Sequence, residues 1–221
     1  MARRSATDEP TRPQTLRTSL QTRRRDVKAR RIIAALAFAG TSALVSAAHA
    51  DTYEIDGQHS WVTFTVKHGI YGTAHGLFDA TSGTIVMDKA DITKSSVKAE
   101  IEAGSIHTAF DQRDSDLKGP DFFNAAEFPK ISFESTKVEK VDDKTGKVTG
   151  NLTISGVAKE VTLDVTLVNE APAPWDATLT KAAFTATGKV STADFPMAKA
   201  AAGFGLGPEI DIAIDLEAIK K

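Results

Sequence analysis

Four histidines, His59, His68, His75 and His107, follow the first fifty residues, and the chain holds no cysteine. Imidazole moves protons near neutral pH and binds metals through a ring nitrogen, so acid–base or metal chemistry would start from these four. Their spacing gives such chemistry little support. No two stand at i, i+2 on a strand or at i, i+4 on a helix, so a metal would have to be gathered from distant segments. Without cysteine there is no thiolate zinc site, iron–sulfur cluster, disulfide or cysteine nucleophile. Asp111, Asp114, Asp116 and Asp121 crowd one stretch. Their order, D-x-x-D-x-D, is not the D-x-D-x-D-G order of a calcium loop, and they are read as a solvated acidic helix. There is no G-x-S-x-G elbow, and His59 and Ser60 are neighbours that face opposite sides of a strand. Gly203-x-Gly205-x-Gly207 lacks the spacing and following helix of a nucleotide loop.

His68 has the parity of Val62, Phe64 and Val66, so it is predicted to point inward. There it could contact a ligand head group, act as a base, or be a buried neutral imidazole satisfied by a neighbour. Arg113 and Lys118 are the other head-group candidates, with surface pairing to the nearby aspartates as the plainer alternative. No catalytic residues and no metal ligands are assigned.

The elements that must carry these residues alternate with period two. Strands are predicted at Ser60–His68, Ser96–Glu102, Lys130–Thr136, Asn151–Ser155, Glu160–Val168, Ala183–Val190 and Glu209–Ala218. Shorter ones are predicted at Tyr53–Asp56, Gly76–Thr81 and Thr84–Asp88. Asp142–Gly146 is a hairpin loop with Gly146 placed for a positive φ, and Ser155-Gly156 is a turn. Asn169–Thr180, with Pro172, Pro174 and Trp175, reads as a long loop. Asp111–Asn124 departs from the pattern as a short helix stopped by Gly119-Pro120, then a turn. Eight or more such antiparallel strands make a sandwich or a closed barrel. Glu209–Ala218 is long, regular and free of Pro and Gly, a poor exposed edge, which favours closure. The inner faces then meet as a dry core or enclose a cavity for something apolar; Phe64, Phe78, Phe133 and Phe184 could fill a small barrel by themselves.

Charge divides the chain. Residues 1–31 carry ten basic and three acidic residues, residues 32–50 carry neither, and residues 51–221 have a formal charge of −9. A body this acidic repels phosphate backbones, so no nucleic-acid partner is expected. Arg30-Arg31, the apolar run Ile32–Ala47 and Ala48-His49-Ala50 form a cleavable secretory signal, with cleavage after Ala50. The run is shorter than the roughly 20 residues of a membrane span. Residues 1–26 are an unusually long lead-in, and the natural start is expected nearer Val27. Residues 51–221 suffice for one domain. Export of a cysteine-free protein points to a bacterial periplasm.

The domain at 51–221 resembles the YceI-like family. Gly57-Gln58-His59-Ser60-x-Val62-x-Phe64-x-Val66-x-His68, Arg113-Asp114-x-x-Leu117-Lys118 and Asp121-Phe122-Phe123-Asn124 carry the resemblance. Pro129-x-Ile131-x-Phe133 follows, and Gly150-x-Leu152-Thr153-Ile154-x-Gly156-Val157-x-Lys159-x-Val161-x-Leu163 is the most specific run. The resemblance implies an all-β fold: an extended lipocalin-like antiparallel β-barrel with a short helix between strands and an apolar central pocket. It implies association with isoprenoid lipids, among them quinones and polyprenyl phosphates, or with fatty amides, and no catalytic residue set. The chain departs from the pattern at His75, at Asp116, around Asp194-Phe195 and over Ala200–Gly207.

The expectation is a periplasmic carrier of a long-chain isoprenoid lipid or quinone, without catalysis and without another cofactor. Transient contact with a membrane surface goes with that role; the oligomeric state stays open, a homodimer included. Val62, Phe64, Val66, His68, Phe78, Val97, Ile101, Phe133, Phe184, Ile212 and Ile214 are expected to line the pocket, with His68, Arg113 and Lys118 for the head group. The rivals are a periplasmic enzyme acting on a lipid or amide with His68 as base, and a solid-cored structural or stress protein without ligand.

Overall fold

The computed structural model describes residues 50–221, so the expected signal segment and early start lie outside the described residues, its last residue Ala50 excepted. The chain order is β1 (Asp51–Ile55), β2 (Trp61–His68), β3 (Gly72–Phe78), β4 (Thr81–Met87), β5 (Ser96–Glu102), β6 (Ile106–His107), α1 (Asp111–Lys118), β7 (Lys130–Lys140), β8 (Thr145–Ile154), β9 (Val157–Ala173), β10 (Asp176–Ser191), α2 (Ala198–Gly203) and β11 (Leu206–Lys220). No helix among the described residues is long and apolar enough to cross a membrane.

All the pairings are antiparallel, and the sheet closes. Strands β1, β4, β5, β7, β8, β9, β10 and β11 follow one another, and β11 returns to pair with β1 through Ala218–Ile55, Ile219–Glu54 and Lys220–Tyr53. Closure removes the edge that β11 would otherwise expose. β11 is long enough to serve two partners: Leu206–Asp215 pair with β2, and its last residues pair with β1. β1 and β2 therefore lie end to end along it, separated by the turn at 56–60. There Ser60 is buried and donates its hydroxyl to the carbonyls of Asp56 and Glu217. β3 and β6 extend the β2 side.

One end of the barrel is packed and the other hollow. At the packed end, Phe78, Ile106, Phe122, Ile131, Phe195 and Met197 form a core with Phe64 and Phe123 against it. The Phe78 and Phe123 rings meet edge to face with centroids 5.4 Å apart. Gly76 is required here, since a Cβ would stand 2.3 Å from the Phe64 ring. α1 and α2 both lie at this end, after β6 and before β11.

The alternation placed most of the strands, but the one expected at Gly76–Thr81 spans the break at 79–80 between β3 and β4, and the structure corrects four further details. The long loop expected at Asn169–Thr180 is mostly strand: β9 runs to Ala173, β10 starts at Asp176, and Pro174-Trp175 alone turn the chain. β8 leaves β9 at Thr166, so beyond it Pro172 faces no β8 partner, and its missing N–H costs no ladder bond there. Gly146 does not take a positive φ. It is needed because a Cβ would stand 2.7 Å from the Glu139 carbonyl oxygen. β6 and α2 fall in stretches where no element was predicted; β6 has two residues and is too short to leave a periodic trace. The Ser155-Gly156 turn is as expected, with φ of 47° and 76°, the pair of left-handed residues a tight hairpin needs.

Candidate functional site

The hollow end holds a cavity of about 600 Å³, within the ~300–1,000 Å³ that small-molecule sites occupy. Its wall is built by the inward parity of seven strands: Ile85 on β4, Val97, Ala99 and Ile101 on β5, Phe133 and Val138 on β7, Val148 and Leu152 on β8, Leu163, Val165 and Leu167 on β9, Phe184 and Ala186 on β10, and Ile212, Ile214 and Leu216 on β11. A second, wholly apolar cavity of about 110 Å³ lies beyond it toward the packed end. Val62, Ile101, Leu152 and Ile212 line both and form the waist between them.

Of the expected lining residues, Val62, Val97, Ile101, Phe133, Phe184, Ile212 and Ile214 face the larger cavity, while Phe64, Val66 and Phe78 face the smaller one. Thus Phe64 and Phe78 help fill the packed end, and Phe133 and Phe184 wall the open one. His68 faces neither. Its parity is that of Val66, but it is the last residue of β2, exposed beside the hairpin to β3. The reading of His68 as an inward residue is therefore corrected: the pleat sets the face, and at the barrel's end the inner face opens to water. The same alternation could have named Leu163, Val165, Leu167 and Leu216. Thr81, the first residue of β4, lines the larger cavity but carries no apolar signal and was missed.

The mouth is formed by the β4–β5 loop (88–95), the β7–β8 hairpin and Glu170. Glu170 accepts from Tyr53 Oη at 2.6 Å and from Lys89 Nζ at 2.6 Å, and Lys89 also lies 3.0 Å from Asp51. Burial pushes the Glu170 carboxyl up, but the bonds from Lys89 and Tyr53 outweigh it and hold the group below the usual carboxylate range. Burial, and then the Glu170 carboxylate, push the Tyr53 phenol well above its ordinary value. At the hairpin, Asp142 accepts from the Thr145 hydroxyl and from the amides of Lys144 and Thr145, which holds its carboxyl low. Lys140 pairs with Asp143 at 2.8 Å.

Arg113 and Lys118 lie on α1, at the opposite end from this mouth, and line neither cavity. Neither of these two head-group candidates therefore stands in the wall of a cavity. Arg113 donates from Nε to Thr108 Oγ1 and from Nη2 to the Thr108 carbonyl, both at 2.7 Å. Asp114 is not solvated: it is buried and accepts from the Thr108 amide at 2.8 Å, the Thr108 hydroxyl, and His107 Nδ1 at 3.1 Å. Burial raises the Asp114 carboxyl, and these bonds more than reverse it. Arg113 and Asp114 are thus clamps on the strand–helix corner. Lys118, half-buried, ends the helix.

The fold also gathers Asp56, His59 and Glu217, whose ligand atoms lie within 4.8 Å of one another. A cation is already supplied by the chain: Lys181 Nζ lies 3.0 Å from Asp56 and 2.5 Å from Glu217. Its ammonium is held above its ordinary pKa first by Glu217, against the opposing effect of burial, with Asp56 adding to Glu217. The cluster fastens the β1–β2 break to β10 and β11.

The structure is thus a closed antiparallel barrel with an apolar chamber open at one end. The sequence profile of the YceI-like domain matches residues 53–218, and the chain belongs to the YceI-like family. Protein YceI of Escherichia coli O6:H1 is 34% identical over 191 residues, which is 84% of this chain and 96% of that protein. The crystal structure of the Campylobacter jejuni YCEI protein superposes with a TM-score of 0.63 at 32% identity, over 70% of this chain and 90% of that one. A polyisoprenoid binding domain from Saccharophagus degradans shares the fold, with a TM-score of 0.52 at 16% identity over 76% of this chain and 98% of that one.

Proposed function

We propose that the protein is a periplasmic carrier that holds an isoprenoid-type or similarly long amphiphilic lipid in the larger cavity and has no catalytic activity. The observation that carries this reading is the cavity of about 600 Å³ walled by aliphatic side chains inside a closed barrel. A barrel meant only to be stable would fill that space, because an apolar void forfeits contacts on every wall. A polyisoprenoid binding domain built on the same fold is consistent with such cargo. At roughly 30 Å³ per water-sized group, the cavity takes on the order of 20 non-hydrogen atoms. That suits a short prenyl chain or a ring with a few isoprene units, with longer tails leaving through the mouth.

Each buried methylene gains about 0.8 kcal/mol relative to water. Relative to a bilayer the gain nearly vanishes, since both surroundings are apolar. The protein then exchanges lipid with membranes instead of sequestering it, which is the behaviour of a carrier.

The test is to purify the protein from the periplasm, extract it with organic solvent and identify what is released by mass spectrometry. A stoichiometric long-chain lipid supports the proposal. A protein that is clean and ignores added quinones and prenyl lipids overturns it. His68→Ala should leave the bound lipid unchanged, because His68 lines neither cavity.

A further inference from the structure

At the packed end three large apolar side chains stand in water. Ile70 and Tyr71, in the hairpin between β2 and β3, are 93% and 88% exposed, and Phe204, between α2 and β11, is 62% exposed. The two segments are joined: the Gly69 amide donates to the Gly205 carbonyl at 2.7 Å, and Leu206 pairs with His68. They form one apolar ledge. Holding such groups in water costs free energy that a covering partner recovers, and contiguous apolar patches of this kind mark interaction surfaces.

The charge of the ledge selects the partner. Residues 51–221 carry a formal charge of −9, yet the segments 67–73 and 197–208 hold two lysines, Lys67 and Lys199, and no Asp or Glu. Both lysines are exposed, and Lys67 donates to the Thr73 hydroxyl at 3.2 Å; neither pairs with a carboxylate among the described residues. The acids that flank the second segment are engaged elsewhere, Asp194 with Lys159 at 3.9 Å and Glu209 with Lys189 at 2.5 Å. At the mouth of the larger cavity, by contrast, Lys89, Lys94 and Lys140 each pair with a carboxylate. Apolar and aromatic tips beside cations, with no acid among them, fit a bilayer of anionic phospholipid. The isoleucine and the rings enter the interface, and the ammonium groups meet phosphates.

We infer that this ledge is a docking surface for an anionic bilayer, so that the packed end of the barrel faces the membrane and the mouth of the larger cavity faces away from it. The smaller cavity lies directly behind the ledge: Ala201 and Leu206, on either side of Phe204, line it together with Val66. A hydrocarbon chain leaving the bilayer there meets an apolar wall, and the waist residues that end this wall are shared with the larger cavity. That use of the ledge, as the place where cargo is taken up, rests on the carrier reading. The docking itself rests on the exposed apolar residues and the lysines, and stands without it.

The experiment measures co-flotation of the protein, purified from the periplasm, with vesicles of phosphatidylethanolamine and phosphatidylglycerol, against vesicles of phosphatidylcholine. The unmodified protein should partition onto the anionic vesicles more strongly than onto the neutral ones. Ile70→Ser combined with Tyr71→Ser should lower the partition about ten-fold or more. Lys67→Gln and Lys199→Gln should each lower it about five-fold, on the anionic vesicles only. Val141→Ser combined with Trp175→Ser, the exposed residues of the β7–β8 and β9–β10 turns, should leave it unchanged. The chain has no cysteine, so Ile70→Cys or Val141→Cys carries a single environment-sensitive dye, and this reading does not depend on the serine variants. Its emission should shift to the blue on anionic vesicles at position 70 and stay unchanged at position 141. An unmodified protein that stays unbound, a ledge variant that binds as before, a dye at position 70 that does not respond, or binding abolished by the Val141 and Trp175 changes each overturn the docking. So does a dimer in sedimentation velocity that the Ile70 and Tyr71 changes dissolve, which would assign the ledge to a second copy. Protein that floats through its ledge but yields no lipid on solvent extraction supports the docking and overturns the carrier reading alone.

Discussion

Tyr53 and Glu170, 117 residues apart in sequence, are joined by a 2.6 Å hydrogen bond at the mouth of the cavity. Tyr53 is fully buried on β1, and Glu170 is on β9 across the barrel end. The phenol can be buried there because its hydroxyl has an ionised acceptor, and the acceptor can be half-buried because Lys89 neutralises it. Tyr53→Phe removes the donor and leaves Glu170 with Lys89 alone. Hydrogen bonds to charged groups contribute about 1.5–3 kcal/mol, so a loss of roughly that size is expected in urea unfolding at neutral pH. An unchanged midpoint would show the bond to be energetically idle.

The same site makes stability depend on acidity in a defined direction. Glu170 is held below the usual carboxylate range in the folded chain, against about 4.3 when unfolded. A depressed pKa contributes stability that is fully present above the unfolded value and is lost as pH falls through the folded one. Urea midpoints measured from pH 7 down to pH 3 should therefore decline below about pH 4.3. Glu170→Gln cannot titrate, so it should start lower at pH 7 and decline less steeply than the unmodified protein. Parallel curves would assign the acid sensitivity to other carboxylates, such as Asp51, Asp56 and Asp114, which are also held low.

Period-two alternation made β2 and β5 readable almost to the residue and found the central part of β11, because each strand has one wet and one dry face. It could not say whether the dry faces touch. That depends on side-chain volume across the barrel: Phe64, Phe78, Phe122 and Phe123 converge on one end and fill it, while the facing positions at the other end include Ala99 and Ala186. His68 was misplaced for a related reason, since parity fixes a face and not the depth at which the barrel ends. Asp114 was read as solvated because α1 has no apolar stripe. Its burial comes from the corner with Thr108, which no periodicity encodes. Thr81 was invisible because a threonine on a strand is ordinary until its surroundings are known to be dry.

The Thr108–Asp114 corner gives a prediction that separates architecture from cargo. Asp114→Ala leaves a buried amide and hydroxyl of Thr108 without their acceptor, at about 1–3 kcal/mol for each unsatisfied group. Arg113→Ala loses two bonds to Thr108, but from an exposed side chain, and should cost less, about 1 kcal/mol. Both variants, purified from the periplasm and extracted, should retain as much lipid as the unmodified protein. A variant that unfolds normally and comes out empty would return Arg113 to the head-group role that its sequence position suggested.

The hollow can be tested by filling it. Ala99 lies on β5 with Val97 and Ile101 on either side of it on the same face, and all three line the larger cavity. Large residues forced into a packed core cost about 1–3 kcal/mol, because neighbours are pushed off their rotamers. In an empty chamber the same ring meets space and gains contact, at about 25 cal/mol for each Å² of apolar surface it buries. Ala99→Phe should therefore leave the protein as stable as before or more so, while cutting the bound lipid to a fraction of one equivalent. The paired control is Gly76→Ala at the filled end, where a Cβ would stand 2.3 Å from the Phe64 ring and 2.9 Å from Thr108 Cγ2. That variant should lose stability. Destabilisation by both would mean that the upper chamber closes up in solution, and lipid retained in full by Ala99→Phe would mean that cargo sits elsewhere.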